Sequence, residues 1–407
     1  MKRIYISIIL FFFGMTAFTQ DMSNYTSEFR RVEGTFVERL LLLEVIRDAG
    51  MTGIGEFYHD ALKYLLQTAP NITNREEQDA AEKSTVILCQ GLGAERVTAA
   101  AQDLWLTVVL FDVAKDTVNE GNAMQAALIA LGQVGGTDFI PHIVQRLTEY
   151  NSQTFRNAET RRRMQMAVIG CINALEVFQD VSGYRPVFFV AYGAYDTSVK
   201  QIALNALPNI VNDPADVIIE LIQNPSLAPD IKLVAWNEML RSKAPNSSKA
   251  RVAAVALETG WTYSTTNQAM RTRLSDMRKS AIDIIRQYGV ADDSVYANLE
   301  RSYNTNFINN TPDFDEIMLT MNALAAIRSD EAVEILHKIL QELNLRRHSG
   351  PWGDKERLIF QWAVSCISVT ETKNPYIRLL LTTITRADSY TPFEQSLARD
   401  ALRALGN

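Results

Sequence analysis

The sequence predicts an all-α protein, and two features of the 407-residue chain support that prediction. Apolar residues recur at three- and four-residue spacing along most of the chain, which is the period of an amphipathic helix. The helical segments also come in short-linked pairs, whose leading helices carry anchors at Leu131, Leu175, Leu207 and Leu240, spaced by 44, 32 and 33 residues. Since each pair has an apolar stripe that it cannot bury alone, the pairs are expected to stack as an α-solenoid.

The chain begins with a segment typical of a secretory signal peptide. Two basic residues precede an apolar run at residues 4–15, and small residues follow before Asp21. This order predicts export and removal of residues 1–20, and a retained N-terminal anchor is the alternative. Because no later stretch is long and apolar enough to span a bilayer, residues 21–407 are expected to form one solenoid domain without a transmembrane segment.

Nine helix pairs and one final helix account for most of the predicted mature chain. In order, the predicted pairs are 35–49 with 55–68, 79–91 with 94–118, the pair within 123–150, 160–178 with 185–195, 199–211 with 214–223, 231–241 with 247–258, 270–288 with 292–303, 314–327 with 331–343, and 354–369 with 375–386. The last helix, 393–405, has an apolar stripe and no following partner. It is expected either to cap the last layer or to dock on another subunit.

The most regular pair lies within residues 123–150. Its first helix carries Ala130-Leu131-Gly132, the chain breaks at Gly135-Gly136, and Ile140-Pro141 follows at the start of the second helix. This pattern resembles the HEAT repeat of armadillo-like proteins, specifically the bilin-lyase-type subclass. The resemblance implies an α-α superhelix of about nine antiparallel helix pairs, and it implies protein or peptide binding, which is what most HEAT proteins do.

Charge, cysteine content and missing motifs exclude several classes of function. The formal charge is −7, and removal of Lys2 and Arg3 makes it −9, which argues against a nucleic-acid partner. The three cysteines, Cys89, Cys171 and Cys366, each lie in an apolar helical pattern and are expected to be buried core residues. The four histidines show no metal-ligand spacing, and no H-E-x-x-H, C-x-x-C, G-x-S-x-G or Walker A motif occurs. We therefore predict no catalytic residue, no metal and no cofactor.

The longest connections between pairs supply the candidate binding residues. In a solenoid these connections emerge at one edge, and four of them carry large aromatic residues, namely Phe155, Trp261 with Tyr263, Phe307, and Trp352. Long loops are often functional, and amphipathic aromatic side chains are frequent binding anchors. The alternative is that the rings fold back and cover the apolar stripe beneath them.

Two basic groups extend this candidate surface. Arg161 and Arg162 lie with Arg163 at the start of a helix, where the helix dipole disfavours cations. Either acidic groups of a neighbouring layer compensate them, or they receive an acidic segment of a partner. Arg346 and Arg347 are predicted to lie in a long loop, and the same two interpretations apply to them.

These observations favour an exported, non-catalytic scaffold that binds another protein in the periplasm or cell envelope of a bacterium. A stable subunit of a larger envelope-associated complex is a closely related interpretation. The alternative from another class is an α-helical superhelical enzyme that acts on a cell-wall or other glycan. Lytic transglycosylases of that kind join their solenoid to a compact catalytic domain that opens on a Glu-Ser dipeptide, and this chain has neither.

Overall fold

The structure, a computed structural model, describes residues 22–31, 33–114, 119–153, 157–263, 265–308, 313–350 and 352–406. The predicted signal peptide at residues 1–20 and the candidate residue Phe155 lie outside these ranges. The described residues form 20 α-helices and no strand, so the predicted all-α class is confirmed. In this part of the chain, no helix is both long enough and apolar enough to cross a membrane.

The helices fall into two compact units, the first ending at Val211 and the second beginning at Asn212. The first unit contains α1 (Met22–Phe29), α2 (Phe36–Asp48), α3 (Gly55–Thr68), α4 (Arg75–Ala94), α5 (Ala101–Leu110), α6 (Asn122–Gln133), α7 (Ile140–Asn151), α8 (Ala158–Phe178), α9 (Tyr184–Tyr192) and α10 (Thr197–Ile210). The second unit contains α11 (Ala215–Gln223), α12 (Pro229–Arg241), α13 (Asn246–Thr262), α14 (Gln268–Tyr288), α15 (Ser294–Ile308), α16 (Phe314–Ile327), α17 (Asp330–Ser349), α18 (Asp354–Ser368), α19 (Pro375–Arg386) and α20 (Pro392–Ala404).

Each unit consists of two rows of helices. In the first unit the leading helices α2, α4, α6, α8 and α10 pack against one another in order, and most of the trailing helices contact the next leading helix. In the second unit α12, α14, α16, α18 and α20 form the corresponding row, with α11, α13, α15, α17 and α19 beside it. Stacked helix pairs bury their apolar stripes between successive layers in this way.

The pair α6–α7, which carries the most regular sequence, shows how the local pattern determines the packing. Leu131 and Ile143 are fully buried between layers. Gly135 has φ of +80°, a conformation that favours glycine, and a Cβ on Gly136 would lie 2.5 Å from the side chain of Leu131. The two glycines therefore reverse the chain tightly. Pro141 lies in the first turn of α7, where a missing N–H group costs no helical hydrogen bond.

The second predicted pair differs from the structure at its glycines. The sequence predicts a helix at 79–91 and a break at Gly91–Gly93, but α4 runs without interruption from Arg75 to Ala94. A Cβ on Gly91 would collide with the ring of Tyr58, so this glycine permits close packing and does not end the helix. The trailing helix is also shorter than predicted and ends at Leu110.

The core contains most of the residues that the apolar pattern indicates. The anchors Leu131, Leu175 and Leu207 are buried, whereas Leu240 is partly exposed and Met239 occupies the core beside it. All three cysteines are buried and none forms a disulfide. Burial raises the pKa of Cys171 and of Cys366 to about 12, so both thiols stay protonated and unreactive. Helix α20 packs against α18 and α19 with Ala401 and Leu405 buried, so it covers the last layer.

Candidate partner-binding edge

Three of the loop aromatics lie at one edge of the second unit. Trp261 ends α13, Phe307 lies in the last turn of α15, and Trp352 precedes α18, so they occupy similar positions in successive layers. Direct contacts join these positions, because Arg301 Nη2 donates to the Trp261 carbonyl at 3.3 Å and Lys355 Nζ donates to the Phe307 carbonyl. We call this surface the cation–aromatic edge, defined by Trp261, Arg278, Arg301, Phe307, Arg346, Arg347, Trp352 and Lys355.

The ring of Trp261 is contacted by two arginines. The guanidinium carbon of Arg278 lies 3.8 Å from the ring centroid and that of Arg301 lies 5.5 Å away. The indole Nε1 donates to Ser302 Oγ at 2.9 Å, which fixes the orientation of the ring. The ring is only partly exposed, and cations of the same chain already contact it.

Arg278 is positioned by a buried ion pair that joins three helices. Its Nε and Nη2 donate to the two carboxylate oxygens of Glu316 at 2.8 and 2.9 Å, and its Nη1 donates to the Gly260 carbonyl at 3.0 Å. Glu316 is 0% exposed and Arg278 is 9% exposed. A bidentate contact of this kind is strong and directional, so it sets the orientation of the guanidinium plane relative to the Trp261 ring.

Phe307 belongs to the core. Its ring is buried and stacks on Tyr303, with centroids 5.2 Å apart. The Arg346 guanidinium lies 4.3 Å from the ring centroid and the Lys355 ammonium lies 5.1 Å from it. The Phe307 ring is thus covered, and the partly exposed groups of this layer are the Arg346 guanidinium and the Lys355 ammonium.

Trp352 and Tyr263 are likewise paired with cations. Trp352 makes an edge contact with Tyr390, and the Arg347 guanidinium lies 4.8 Å from the Trp352 centroid. Arg347 Nε also donates to the Ser389 carbonyl at 2.6 Å. Tyr263 lies 5.0 Å from Nζ of the buried Lys232.

The prediction that Arg346 and Arg347 lie in a loop is wrong. Helix α17 continues to Ser349, so both arginines lie in its last helical turns. Cations near a helix C-terminus are favoured by the helix dipole, and Leu343 continues the buried stripe up to that point. The connection is therefore shorter than predicted, and both arginines lie on the helix.

The basic cluster of the first unit is compensated by the chain itself. Arg162 forms an ion pair with Glu120, and Arg161 Nη1 lies 3.9 Å from Asp196. Arg163 is buried and its Nη1 donates to the Asn119 carbonyl at 3.5 Å. Acidic groups of neighbouring layers thus contact Arg161 and Arg162, as the first of the two interpretations requires.

Sequence reasoning missed Arg278, Arg301 and Lys355, which complete the edge. Each contacts a residue 18 to 48 positions away, in the same or an adjacent layer, and no local motif marks such a contact. The sequence feature that could have indicated these contacts is the repeat period, because residues one period apart face each other across stacked layers. Sequence reasoning also missed Ile308 and Leu345, which adjoin Phe307 and Arg346 in the sequence and are 74% and 59% exposed.

Comparison with models of known protein families, and with curated proteins, finds no match to this chain. The structure therefore defines the fold class: this is an all-α protein of stacked helix pairs arranged in two units. The described residues contain no group of three or more His, Cys, Asp or Glu side chains placed to hold a metal ion.

Replacing Trp261 by alanine is expected to lower the free energy of unfolding by about 2–3 kcal/mol, because the ring loses its packing, its hydrogen bond and two cation contacts. Chemical denaturation of the purified protein measures the loss. Trp362→Ala is the matched control, because Trp362 is more exposed and donates one hydrogen bond, to Asn322, so its loss should be clearly smaller. If Trp261→Ala leaves stability unchanged and abolishes partner binding, the ring is a binding anchor and not a packing residue.

Proposed function

We propose that the protein is an exported HEAT-type scaffold without catalytic activity, which binds another protein in the periplasm or cell envelope. The observation that carries the proposal is the cation–aromatic edge, where guanidinium and ammonium groups of successive layers contact aromatic rings. Two exposed apolar residues, Ile308 and Leu345, adjoin Phe307 and Arg346 in the sequence. Export rests on the sequence of residues 1–20.

The edge suits a partner segment that carries acidic side chains and at least one apolar side chain. Arg301 is exposed, and Arg346 and Lys355 are partly exposed. Arg357 is also exposed and adjoins the edge, because Arg347 and Arg357 each lie 3.9 Å from the Glu394 carboxylate. Arg346 and Arg357 also contact Glu342 and Asp354, so an acidic partner segment would compete with these exposed carboxylates. Stacking on aromatic rings holds several of these cations in place, so little side-chain entropy is lost when a carboxylate binds. Positive groups on a chain with net charge −7 also favour docking of an acidic segment at this edge over other surfaces.

Crosslinking in the native envelope, followed by mass spectrometry of the attached protein, tests the proposal. The double variant Arg301→Glu/Arg357→Glu should reduce the crosslinked partner about tenfold or more, because two attractive charges become repulsive. Arg399→Glu/Arg403→Glu is the control, since it makes the same change in net charge on α20 and Arg403, like Arg357, has an i,i−3 aspartate partner.

If both double variants lose the crosslinked partner equally, or if neither loses it, the cation–aromatic edge is not the binding surface.

Incubation of the protein with peptidoglycan distinguishes the scaffold from the glycan-active enzyme. Release of soluble muropeptides would overturn the non-catalytic assignment.

A further inference from the structure

A groove of about 610 Å³ crosses the leading helices α14, α16 and α18 of the second unit. Its volume falls in the range of small-molecule sites. Its lining combines apolar and polar residues, among them Leu319, Trp362 and Val369 on one side of that division and Arg286, Asn322 and Ser365 on the other. The groove shares no residue with the cation–aromatic edge.

Trp362 supplies an aromatic wall of the groove. Its side chain is 36% exposed, so part of the ring surface is open to a ligand. The indole Nε1 donates to Asn322 Oδ1 at 3.2 Å, and this hydrogen bond joins α18 to α16. Because the bond restrains the ring, a ligand that packs on it costs little additional side-chain entropy.

The side-chain amide of Asn322 is held in one orientation beside this ring. Its Oδ1 accepts from Trp362 Nε1 and also from Cys366 Sγ, at 3.4 Å. Burial raises the pKa of Cys366 to about 12, so the thiol keeps its proton and acts as a donor. Two donors at one atom require that atom to be the amide oxygen. Nδ2 has no hydrogen-bond partner among the described residues and is not buried, so it can donate to a ligand.

The ionic groups of the groove balance one another. Arg286 Nε donates to Asp283 Oδ1 at 2.9 Å, and Arg328 Nη1 donates to Glu371 Oε1 at 3.0 Å. A charged ligand would have to compete with these pairs, so a neutral ligand is favoured. A purely apolar ligand is disfavoured as well, because it would remove water from the polar groups without replacing their hydrogen bonds. The lining therefore suits a neutral ligand with an apolar face, several hydroxyl groups and a carbonyl acceptor for Asn322 Nδ2.

We propose that this groove binds a neutral sugar that carries an acetamido group, as an N-acetylhexosamine unit of a glycan does. The acetamido carbonyl accepts from Asn322 Nδ2, and the carbon face of the sugar ring packs on Trp362. Hydroxyl groups of the sugar exchange hydrogen bonds with Ser365 and with the Asp283–Arg286 pair. The proposal goes beyond the scaffold function, because it gives the scaffold a second, non-catalytic attachment to a glycan.

Saturation-transfer NMR and calorimetry on the full chain test the site with a matched pair of sugars. Chitotriose and cellotriose are β1,4-linked trimers that differ only in the acetamido groups, which chitotriose carries. Chitotriose should bind about tenfold more tightly, the effect of one hydrogen bond to a fixed donor. N-acetyl-leucine amide is the third probe, because it offers the same acetamido group on a peptide-like ligand, and it should bind more weakly than chitotriose.

Two variants locate the site. Asn322→Asp keeps the oxygen that accepts from Trp362 and Cys366 and replaces the Nδ2 donor by an oxygen, so chitotriose binding should weaken about tenfold. Trp362→Ala removes the aromatic wall and should abolish detectable binding. Asn304→Asp is the matched control, because Asn304 is exposed on α15, does not line the groove and undergoes the same change in charge. Thermal melts verify that all three variants are folded.

Three outcomes would overturn the proposal. They are the absence of chitotriose binding, equal or tighter binding of cellotriose or of N-acetyl-leucine amide, and an equal loss in Asn304→Asp and Asn322→Asp. None of them bears on crosslinking at the cation–aromatic edge, which the Arg301→Glu/Arg357→Glu variant tests separately.

Discussion

The variant Glu316→Gln is expected to lose about 3–5 kcal/mol of stability, because it leaves the Arg278 guanidinium buried without a balancing charge. Glutamine has the shape of glutamate, so the loss reports charge and not packing. The effect should also reach the edge, since the ion pair orients Arg278 against Trp261. Chemical denaturation measures the loss of stability. Comparing the native fluorescence change that Glu316→Gln causes in the wild type and in a Trp261→Phe background separates Trp261 from the other four tryptophans.

Two further variants make this prediction specific. Asp216→Asn removes the acidic partner of Arg251 in an exposed pair of the same unit, and it should have little effect on stability. The double variant Arg278→Met/Glu316→Leu replaces the buried pair by apolar side chains and should recover most of the lost stability. If Glu316→Gln proves no more harmful than Asp216→Asn, the buried pair does not organise this region.

The variant Leu131→Ala is expected to lower the free energy of unfolding of the first unit by about 2–5 kcal/mol. Leu131 is fully buried and its side chain packs directly against Gly136, so truncation opens a cavity at the tight turn between α6 and α7. Because stacked repeats depend on contacts between neighbours, the loss should spread to adjacent layers. Hydrogen exchange measured by mass spectrometry should show faster exchange first in α4, α6 and α8.

Leu379→Ala is the control for this prediction. Leu379 is 65% exposed on α19, so the same chemical change should alter stability by about 0.5 kcal/mol or less. Comparable losses in the two variants would contradict the view that the regular repeat is a packing unit. Confinement of faster exchange to α6 alone would contradict the nearest-neighbour coupling.

The helices themselves could be predicted closely, because each has a strong local signal. Helix α16 runs over 314–327 as predicted and begins after Asp313, whose Oδ1 accepts the Glu316 amide at 3.1 Å. Errors arose where one residue type has two structural uses. The pattern around Gly91 predicts a break, but this glycine permits close packing of Tyr58 within a continuous helix. The pattern around Arg346 predicts a loop, but the helix continues and its dipole favours the cation near the C-terminus.

The candidate site could be predicted only in part. The aromatic residues were found because they stand out in long connections, and the structure brings Trp261, Phe307 and Trp352 to one edge. Their partners were not found, because Arg278 meets Glu316 across 38 residues of sequence. The role of the rings also depends on burial, since Phe307 packs into the core while Ile308 beside it is exposed.

The sequence by itself determined the all-α class, the paired helices and the residues that form the apolar stripes, because helix period and capping are local properties of the chain. The tertiary structure decided which charges pair and which aromatics are covered. These depend on which residues of successive layers face one another. A shift of one residue on a helix turns a side chain by about 100°, and local periodicity does not specify register between layers to that accuracy.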